Sequence, residues 1–402
     1  MIIVAPPGQR AGAWRVASGL AASFHRHGRG PAHVVDTLAQ LDRVVDDACG
    51  AVIAILPSDA PAPPRLRART TRAIAILDGA DRDGEQAAIT TAESFADSAR
   101  LRLVQLAPSG PAARDGRAVT TVPVQDAGPA IDRLARDAAG LLVGIALGAG
   151  GTRGFTHVGV LETLAEHGVP IDCIAGTSIG AVVGALWAFG HPPDEIIAMV
   201  ADTRRHLFKL TFPLRSLLSN RGIRTHIERS AAGRAFEDSP IPLAAVSTDL
   251  HDGSRVVIRT GDLASAILAS SSIPGVFPPV SIGGRTLVDG GLCEPVPTTS
   301  VAELGAQIVI GVSLGTRCPP PVEGRKPFGL LGTLLRANEI LQARVDGHAA
   351  ERSHVLIAPL LDGSSFELPE LGSAARFRAA GRAAALAAMP RLRELLPWLV
   401  PR

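Results

Sequence analysis

The sequence predicts an α/β protein with two domains, each built on a mainly parallel sheet. Three observations lead to this prediction. Short apolar runs alternate with helical patterns along most of the chain, which is typical of strands that alternate with helices. Glycine-rich turns follow two of the apolar runs in the central part of the chain. The 402 residues, 46% hydrophobic and 19% charged, are enough for two domains with sizeable cores.

Residues 1–109 are predicted to form a smaller α/β module that precedes the main domain. The pattern predicts strands at 2–5, 51–56, 73–77 and 101–106, and helices at 11–25 and 35–47. This module contains no phosphate loop of the G-x-x-x-x-G-K type and no nucleophile turn. We therefore interpret it as structural or regulatory.

The prolines and glycines that follow predict a linker over 110–140, with a short helix at 131–139. The main domain is predicted over 141–315, and a helical C-terminal extension over 316–402 completes it. Strands are predicted at 142–147, 171–175, 243–248, 254–258, 307–313 and 354–358, and helices at 155–167, 181–189 and 374–396, the last one interrupted at Pro390. The strand–helix–strand–helix order at the start of this domain indicates parallel pairing.

The most informative motif is G-x-S-x-G, formed by residues 176–180 around Ser178. An apolar run precedes it and a helical pattern follows, as in a nucleophile elbow, a tight strand-to-helix turn that exposes a serine hydroxyl. Gly176 and Gly180 flank the serine because side chains there would crowd the turn. The surrounding segment 173–190 carries no charge and is near the lower limit for a membrane span. The turn residues interrupt it, so a buried α/β core is the better interpretation.

A glycine-rich loop at 148–154 lies between a predicted strand and a predicted helix. The backbone N–H groups of such a loop can converge on an anion. Two interpretations compete. A dinucleotide site requires G-x-G-x-x-G, and Arg153 stands where the last glycine should be. An oxyanion hole requires backbone donors near a nucleophile, and the elbow, one strand–helix–strand unit downstream, would end at the same sheet edge. We favour the oxyanion hole.

A serine nucleophile also needs a base. His348 and His354 are the only histidines after residue 300, but one lies in a helical stretch and the other opens a strand. Asp289 ends an apolar run and is followed by Gly290 and Gly291, so its carboxylate could stand close to another backbone turn. The pattern therefore favours a Ser–Asp dyad over a Ser–His–Asp triad, although Asp-Gly-Gly taken alone is most often just a turn.

The glycine loop, the G-T-S-x-G elbow and the D-G-G turn, in this order, resemble the patatin-like phospholipase family over about residues 142–314. Residues 271–279, S-S-I-P-G-V-F-P-P, resemble its bacterial and neuropathy-target-esterase branch, as does the module that precedes the main domain. The resemblance implies a three-layer α/β hydrolase fold with a mainly parallel central sheet, and no metal or cofactor. It assigns Ser178 as the nucleophile, Asp289 as the proton acceptor, Gly150, Gly151 and Thr152 as oxyanion donors, and Arg153 as the basic residue of the loop.

A concentrated basic stretch lies at 204–229. Its charged residues are Arg204, Arg205, Lys209, Arg215, Arg221, Arg224 and Arg229, against the single acid Glu228. Leucines and phenylalanines are interleaved with them. One interpretation is a solvated face above an ordinary core side. The other is a lid or docking surface that makes peripheral contact with an anionic membrane.

We expect a serine acyl-ester hydrolase that releases fatty acid from phospholipid or lysophospholipid. Four widely spaced cysteines and the lack of a signal-peptide pattern predict a cytoplasmic protein, peripheral at the inner membrane face. Nothing indicates a nucleic-acid partner, since the net charge is only +2. Two alternatives stay open: a catalytically inactive lipid-sensing or scaffold protein on the same fold, and a nucleotide-binding protein that uses the loop at 148–154.

Overall fold

The computed structural model describes residues 1–6, 9–27, 32–44, 51–77, 81–97, 100–105, 113–114, 117–121, 128–205, 233–315, 329–361, 371–396 and 398–399. Contacts divide the chain into two compact units. The first comprises Met1–Leu142 with Leu396–Val400, and the second comprises Val143–Leu395. Each unit contains its own mainly parallel sheet.

The sheet of the first unit has seven strands in the described residues, in the order β2-β3-β1-β4-β5-β7-β6. Its strands are β1 (Ile2–Ala5), β2 (Ala32–Val35), β3 (Ala51–Pro57), β4 (Ala73–Leu77), β5 (Leu101–Gln105), β6 (Ala113–Arg114) and β7 (Arg117–Thr121). All neighbouring strands are parallel except β6, which is antiparallel to β7. Both faces are covered, since alternate residues such as Val4 and Ile3 lie in two separate hydrophobic clusters.

The helices of the first unit, within the described residues, are α1 (Arg10–Arg26), α2 (Leu38–Val44), α3 (Pro64–Arg69), α4 (Arg82–Phe95) and α5 (Gly128–Ala138). Two differences from the predicted elements concern short segments. Val35 ends β2 instead of opening a helix, because β2 pairs in parallel with β3. The predicted linker over 110–140 contains β6 and β7, whose β-branched residues Val119, Thr120 and Thr121 favour a strand more strongly than the nearby prolines and glycines disfavour it.

The sheet of the second unit has eight strands in the described residues. They are β8 (Val143–Leu147), β9 (Cys173–Thr177), β10 (Leu243–Asp249), β11 (Arg255–Ile258), β12 (Val280–Ile282), β13 (Arg285–Asp289), β14 (Ile308–Val312) and β15 (Val355–Ile357). The order is β12-β13-β10-β9-β8-β14-β15, and β11 pairs with β10. Strands β10, β9, β8, β14 and β15 are parallel, whereas β11, β12 and β13 pair antiparallel.

The second unit's helices among the described residues are α6 (Phe155–Glu166), α7 (Ile179–Ala188), α8 (Pro193–Arg205), α9 (Leu263–Ser270), α10 (Thr298–Glu303), α11 (Leu330–Val345), α12 (Ala349–Arg352) and α13 (Leu371–Leu395). Short 3-10 turns occur at Gly151–Gly154, Phe236–Asp238, Gly290–Leu292 and Asp346–His348. The charge-free segment 173–190 is divided between β9 and α7. Within the described ranges, no helix combines the length and the apolar character needed to cross a membrane.

Helices cover both faces of this second sheet. Ala146 and Ala175 share a hydrophobic cluster with Val301 of α10. Ile174, the strand neighbour of Ala175, points the other way and lies against Gly184 of α7. The result is a three-layer arrangement of helix, sheet and helix, which confirms the predicted α/β fold class.

The last helix was expected to break at Pro390, and this expectation is wrong. Helix α13 runs through Pro390 without interruption. A proline in a helix removes the hydrogen bond to the carbonyl four residues earlier. That carbonyl belongs to Leu386, which is 47% exposed, so water can take the place of the missing N–H.

Helix α13 packs closely on α6 at a crossing made by two glycines. A Cβ at Gly159 would overlap the carbonyl of Arg378, and a Cβ at Gly381 would overlap the carbonyl of Thr156. Salt bridges beside the crossing join Arg378 to Glu162 at 2.6 Å and Arg382 to Glu166 at 2.8 Å. The backbones can approach this closely only because both positions lack side chains.

We expect Gly381→Ala to destabilise the protein by about 1–3 kcal/mol, because overpacking at the crossing outweighs the roughly 1 kcal/mol that alanine gains in a helix. Chemical unfolding measures the change. Gly329→Ala is the matched control, since a Cβ there meets no atom within 4 Å. Equal stability of the two variants would contradict the close packing of α13 on α6.

Candidate active site

The glycine loop and the serine turn lie side by side at the carboxyl ends of β8 and β9. The two strands are parallel, and Leu147 pairs with Gly176. A Cβ at Gly180 would overlap the carbonyl oxygen of Leu147, and one at Gly154 would overlap the side chain of Ile179. The sheet therefore brings together the two motifs that the sequence singled out.

Ser178 sits on a strained turn between β9 and α7. Its φ of 55° makes it the only non-glycine residue with a positive φ in the described part of the chain. A backbone of this kind costs about 1–3 kcal/mol and persists only where the surroundings enforce it. Gly176 contributes, since a Cβ there would overlap the backbone of Ala181 at the start of α7. The side chain of Ser178 is buried, with 7% of the residue exposed.

A second serine holds the turn in place. The N–H of Ser178 donates to Oγ of Ser270 at 2.9 Å, and the Ser270 hydroxyl donates to the carbonyl of Val246 at 2.6 Å. Ser270 is fully buried at the end of α9. This role of Ser270 was not predicted, because the segment 271–279, which carries the family resemblance, begins one residue later. The only available signal was a polar residue at the end of an otherwise apolar helix.

Asp289 reaches the serine turn through the pairing of β13 with β10. Val246 of β10 pairs with Thr177, and the next residue, Ser247, pairs with Asp289. The backbone of Asp289 is fixed on both sides: its N–H donates to the carbonyl of Ser272 at 2.9 Å, and its own carbonyl accepts from Oγ1 of Thr248 at 3.0 Å.

The carboxyl group of Asp289 is buried, with 1% of the residue exposed. Its Oδ1 accepts a hydrogen bond of 2.7 Å from the N–H of Gly291, while Oδ2 has no hydrogen-bond partner among the described residues. Burial raises the pKa of Asp289 to about 6, against the opposing effects of the Gly291 N–H and the nearby Ser178 hydroxyl. The carboxylate is therefore ionised at neutral pH and well suited to accept a proton.

Gly290 of the D-G-G turn is required by space, and Gly291 lies against a side chain of α11. A Cβ at Gly290 would overlap the carbonyl of Val246, and a Cβ at Gly291 would overlap the side-chain amide of Gln342 on α11. The turn is thus closed between β10 and α11, and it aims the Gly291 N–H at Asp289.

The glycine loop is anchored on either side of two free donors. The N–H groups of Gly148 and Ala149 bond to carbonyls of neighbouring segments, and the Arg153 N–H bonds back to Gly150. The N–H groups of Gly150 and Gly151 have no acceptor among the described residues. Both can donate to an oxyanion.

Thr152, the third predicted donor, lies in the same 3-10 turn and makes an interaction within the chain. His157 supports the loop from α6, since its Nε2 lies 2.8 Å from the carbonyl of Gly148 and donates to it. Burial lowers the pKa of His157 to about 4, so the imidazole is neutral. The role of His157 was not predicted, because its only signal in the sequence is its position inside an apolar helix.

Arg153 connects the loop to α11. It is buried, and its guanidinium lies 3.8 Å from a carboxylate oxygen of Glu339, which also pairs with Arg336 at 2.8 Å. Burial lowers the pKa of Arg153 to about 10, so it remains charged at neutral pH. Its Nε and Nη1 have no hydrogen-bond partner among the described residues.

Neither histidine considered as a base is brought to Ser178 by the described structure. Nδ1 of His354 accepts from the N–H of Val309 near the start of β14. Val309 pairs with Gly144, at the amino end of β8 and opposite to the edge where the serine turn lies. The side chain of His348 is outside the described residues, and so is the basic stretch 204–229, apart from the backbone of Arg204 and Arg205 at the end of α8.

A parallel sheet with a strained serine turn and an adjacent glycine loop defines the class of α/β proteins with a nucleophile elbow. Comparison of the sequence with known protein families narrows this class. Residues 145–302 match the family model of the patatin-like phospholipases. This match confirms, for residues 145–302, the resemblance predicted from the motifs.

Curated relatives share the same region. An uncharacterized NTE family protein of Mycobacterium tuberculosis (strain ATCC 25618 / H37Rv) is 38% identical over 188 residues, which are 46% of this chain and 52% of the relative. Patatin-like phospholipase domain-containing protein 7 of Mus musculus is 36% identical over 194 residues, 46% of this chain and 14% of that protein. Lysophospholipase NTE1 of Kluyveromyces lactis is 34% identical over 203 residues, 49% of this chain and 14% of that protein.

The chain thus spans about half the length of the mycobacterial relative and a small part of the two eukaryotic ones. Among solved structures, the crystal structure of VipD from Legionella pneumophila matches with a TM-score of 0.36 and 12% identity, covering 62% of this chain and 67% of that one. A structural match with this TM-score and identity supports no conclusion about this chain.

We expect Ser270→Ala to lower the rate at which a fluorophosphonate labels Ser178 by about tenfold or more, because a displaced hydroxyl loses its alignment with the reagent. Ser272→Ala is the matched control. Ser272 is equally buried, and its hydroxyl bonds to the carbonyl of Leu268 instead of to the serine turn. Each change should cost about 1–3 kcal/mol of stability. Similar labelling rates in the two variants would contradict a positioning role for Ser270.

Proposed function

We propose that this chain is a serine acyl-ester hydrolase that releases fatty acid from phospholipid or lysophospholipid by a Ser178–Asp289 dyad. One observation carries the proposal. Ser178 sits on a strained turn beside two free backbone N–H groups, and strand pairing brings the buried carboxyl of Asp289, whose pKa burial raises to about 6, next to this turn. A nucleophile, a base and oxyanion donors are thus available within one sheet edge.

The chemistry follows from these groups. Oγ of Ser178 attacks the ester carbonyl carbon while Asp289 accepts the hydroxyl proton. The oxyanion is stabilised by the N–H groups of Gly150 and Gly151, with Thr152 as the further donor proposed for the loop. Asp289 then gives the proton to the departing alkoxide, which leaves as an alcohol. Water, deprotonated by Asp289, attacks the acyl-enzyme, the fatty acid is released, and the proton returns to Ser178.

The lipid substrate class is supported by the family and by the names of the relatives. The matched model is that of patatin-like phospholipases, and Lysophospholipase NTE1 shares 34% identity in the same region. A lipid panel with identification of the products tests whether a diacyl lipid or a lysolipid is preferred.

The second candidate is a catalytically inactive lipid-sensing or scaffold protein on the same fold. Ser178 and Asp289 are both present and adjacent, which argues against it. A fluorophosphonate that labels the wild type and spares Ser178→Ala separates the two. Three further expectations stay predictions. They are the contact of 204–229 with an anionic membrane, the cytoplasmic location, and the regulatory or structural role of residues 1–109.

We expect Ser178→Ala and Asp289→Asn each to reduce hydrolysis of a p-nitrophenyl ester by about 10³-fold or more, because each removes a group that acts in the transition state. Circular dichroism and the melting temperature of each variant serve as the check on folding. Full activity in either variant would exclude the dyad.

We expect kcat/KM to rise with pH and to reach half of its plateau near pH 6, because Asp289, whose pKa is about 6, accepts a proton only when ionised. The pH–rate profile of ester hydrolysis measures this. A flat profile between about pH 5 and pH 7, roughly one unit either side of the midpoint, would contradict it.

Stability provides an independent check on the same carboxyl. Its pKa of about 6 in the folded protein lies above the 3.8 of a free aspartic acid side chain, so its ionisation costs stability as pH rises through this interval. The loss amounts to about 3 kcal/mol, and Asp289→Asn should lack it. Chemical unfolding of the wild type and of Asp289→Asn, at pH values near each of the two pKa values, measures this difference in the free energy of unfolding.

A further inference from the structure

Helix α11 buries polar residues and exposes several large apolar ones, while Leu331, Leu334 and Leu335 are half-buried. Its two buried residues are Asn338 and Glu339. Its large exposed residues are Leu330, Ile340 and Leu341, which are 69%, 43% and 55% exposed. A surface helix of a globular protein normally shows the opposite arrangement. Exposed apolar side chains gathered on one helix therefore indicate a surface that meets a partner.

The exposed residues form one continuous stripe. Their spacing of i, i+3, i+7, i+10, i+11 and i+14 places them on the same face of the helix. The stripe, called the outer face of α11 from here on, consists of Leu330, Thr333, Ala337, Ile340, Leu341 and Arg344. It has one positive charge and no acidic residue. Arg344 has no ion-pair partner among the described residues.

The opposite side of the same helix contacts the candidate active site. Glu339 pairs with Arg153 of the glycine loop, and Gln342 lies against Gly291 of the D-G-G turn. One helix thus touches Arg153, in the loop that carries the proposed oxyanion donors, and the turn that holds the proposed base. A partner on its outer face would lie one helix diameter, about 10 Å, from the site.

We propose that the outer face of α11 docks on the surface of a phospholipid aggregate. Apolar side chains enter the boundary between head groups and acyl chains, and Arg344 interacts with anionic head groups. The outer face combines leucine and isoleucine with a cation and has no acidic residue. This composition suits a helix that lies in a lipid interface. The choice of a lipid surface as the partner rests on the proposed function, since a phospholipid substrate must be drawn from such a surface.

The test uses the full chain carrying Ser178→Ala, so that binding is measured without hydrolysis. The probe is co-sedimentation with vesicles of phosphatidylcholine, alone or mixed with phosphatidylglycerol. We expect Ile340→Gln combined with Leu341→Gln to reduce vesicle partitioning by at least about tenfold, because the apolar area that enters the lipid is lost. Arg344→Gln should weaken binding about fivefold, and only to the vesicles that contain phosphatidylglycerol.

Leu386→Gln is the matched control, since Leu386 is a leucine of similar exposure, 47%, on α13. It should leave vesicle binding unchanged. Leu341→Gln alone serves as the second variant if the double variant fails to fold, and it should show a smaller loss in the same direction.

Three results would overturn the proposal. The first is equal vesicle binding by the Ile340/Leu341 variant and by the starting protein, whose outer face of α11 is unmodified. The second is an equal loss in the Leu386→Gln control. The third is light scattering that shows a dimer for the starting protein and a monomer for the Ile340/Leu341 variant, because a second copy would then cover this face. An active esterase that fails to bind vesicles contradicts the docking alone, whereas a vesicle-binding protein without esterase activity contradicts the proposed function.

Discussion

The candidate site depends on the register of one strand. In strand β10, Val246 pairs with Thr177 of β9 and Ser247 pairs with Asp289 of β13. The last residues of β9 and β13 therefore lie beside successive positions of β10. A slip of one residue in either ladder would turn alternate side chains to the other face of the sheet. The hydroxyl and the carboxyl would then lie on opposite sides. No local feature of the serine turn could compensate for such a change.

Buried polar contacts fix this register and hold the strained turn. Ser270 links the amide of the serine turn to β10, Thr248 links β10 to the end of β13, and Oγ1 of Thr177 donates to the carbonyl of Glu294 at 2.9 Å. A buried group left without its partner costs about 1–3 kcal/mol, so each contact disfavours alternative pairings. The side chains of Ser178 and Asp289 thus stand on a backbone that cannot easily relax, which keeps both in one arrangement.

The sequence predicted the elements whose signals are local. Short apolar runs predicted the parallel strands, and flanking glycines predicted the turns around Ser178 and Asp289. Ser270 and His157 were missed because their partners, the amide of the serine turn and the carbonyl of Gly148, are brought to them only by the folded sheet. Helix α11 lies within the predicted helical extension over 316–402, but its packing was not predicted. Several of its large apolar residues are exposed while Asn338 and Glu339 are buried, so a pattern that assumes an apolar inner face is a poor guide to its orientation.

The close crossing of α6 and α13 bears on how this unit can be handled in isolation. The family match ends at residue 302, yet α13 lies at Leu371–Leu395 and presses backbone to backbone on α6, the helix that directly follows the glycine loop. An expression fragment trimmed to the family match would uncover Gly159 and leave Glu162 and Glu166 without their arginines. The smallest fragment that preserves the support of the loop therefore extends to Leu395, well beyond the region that sequence comparison marks out.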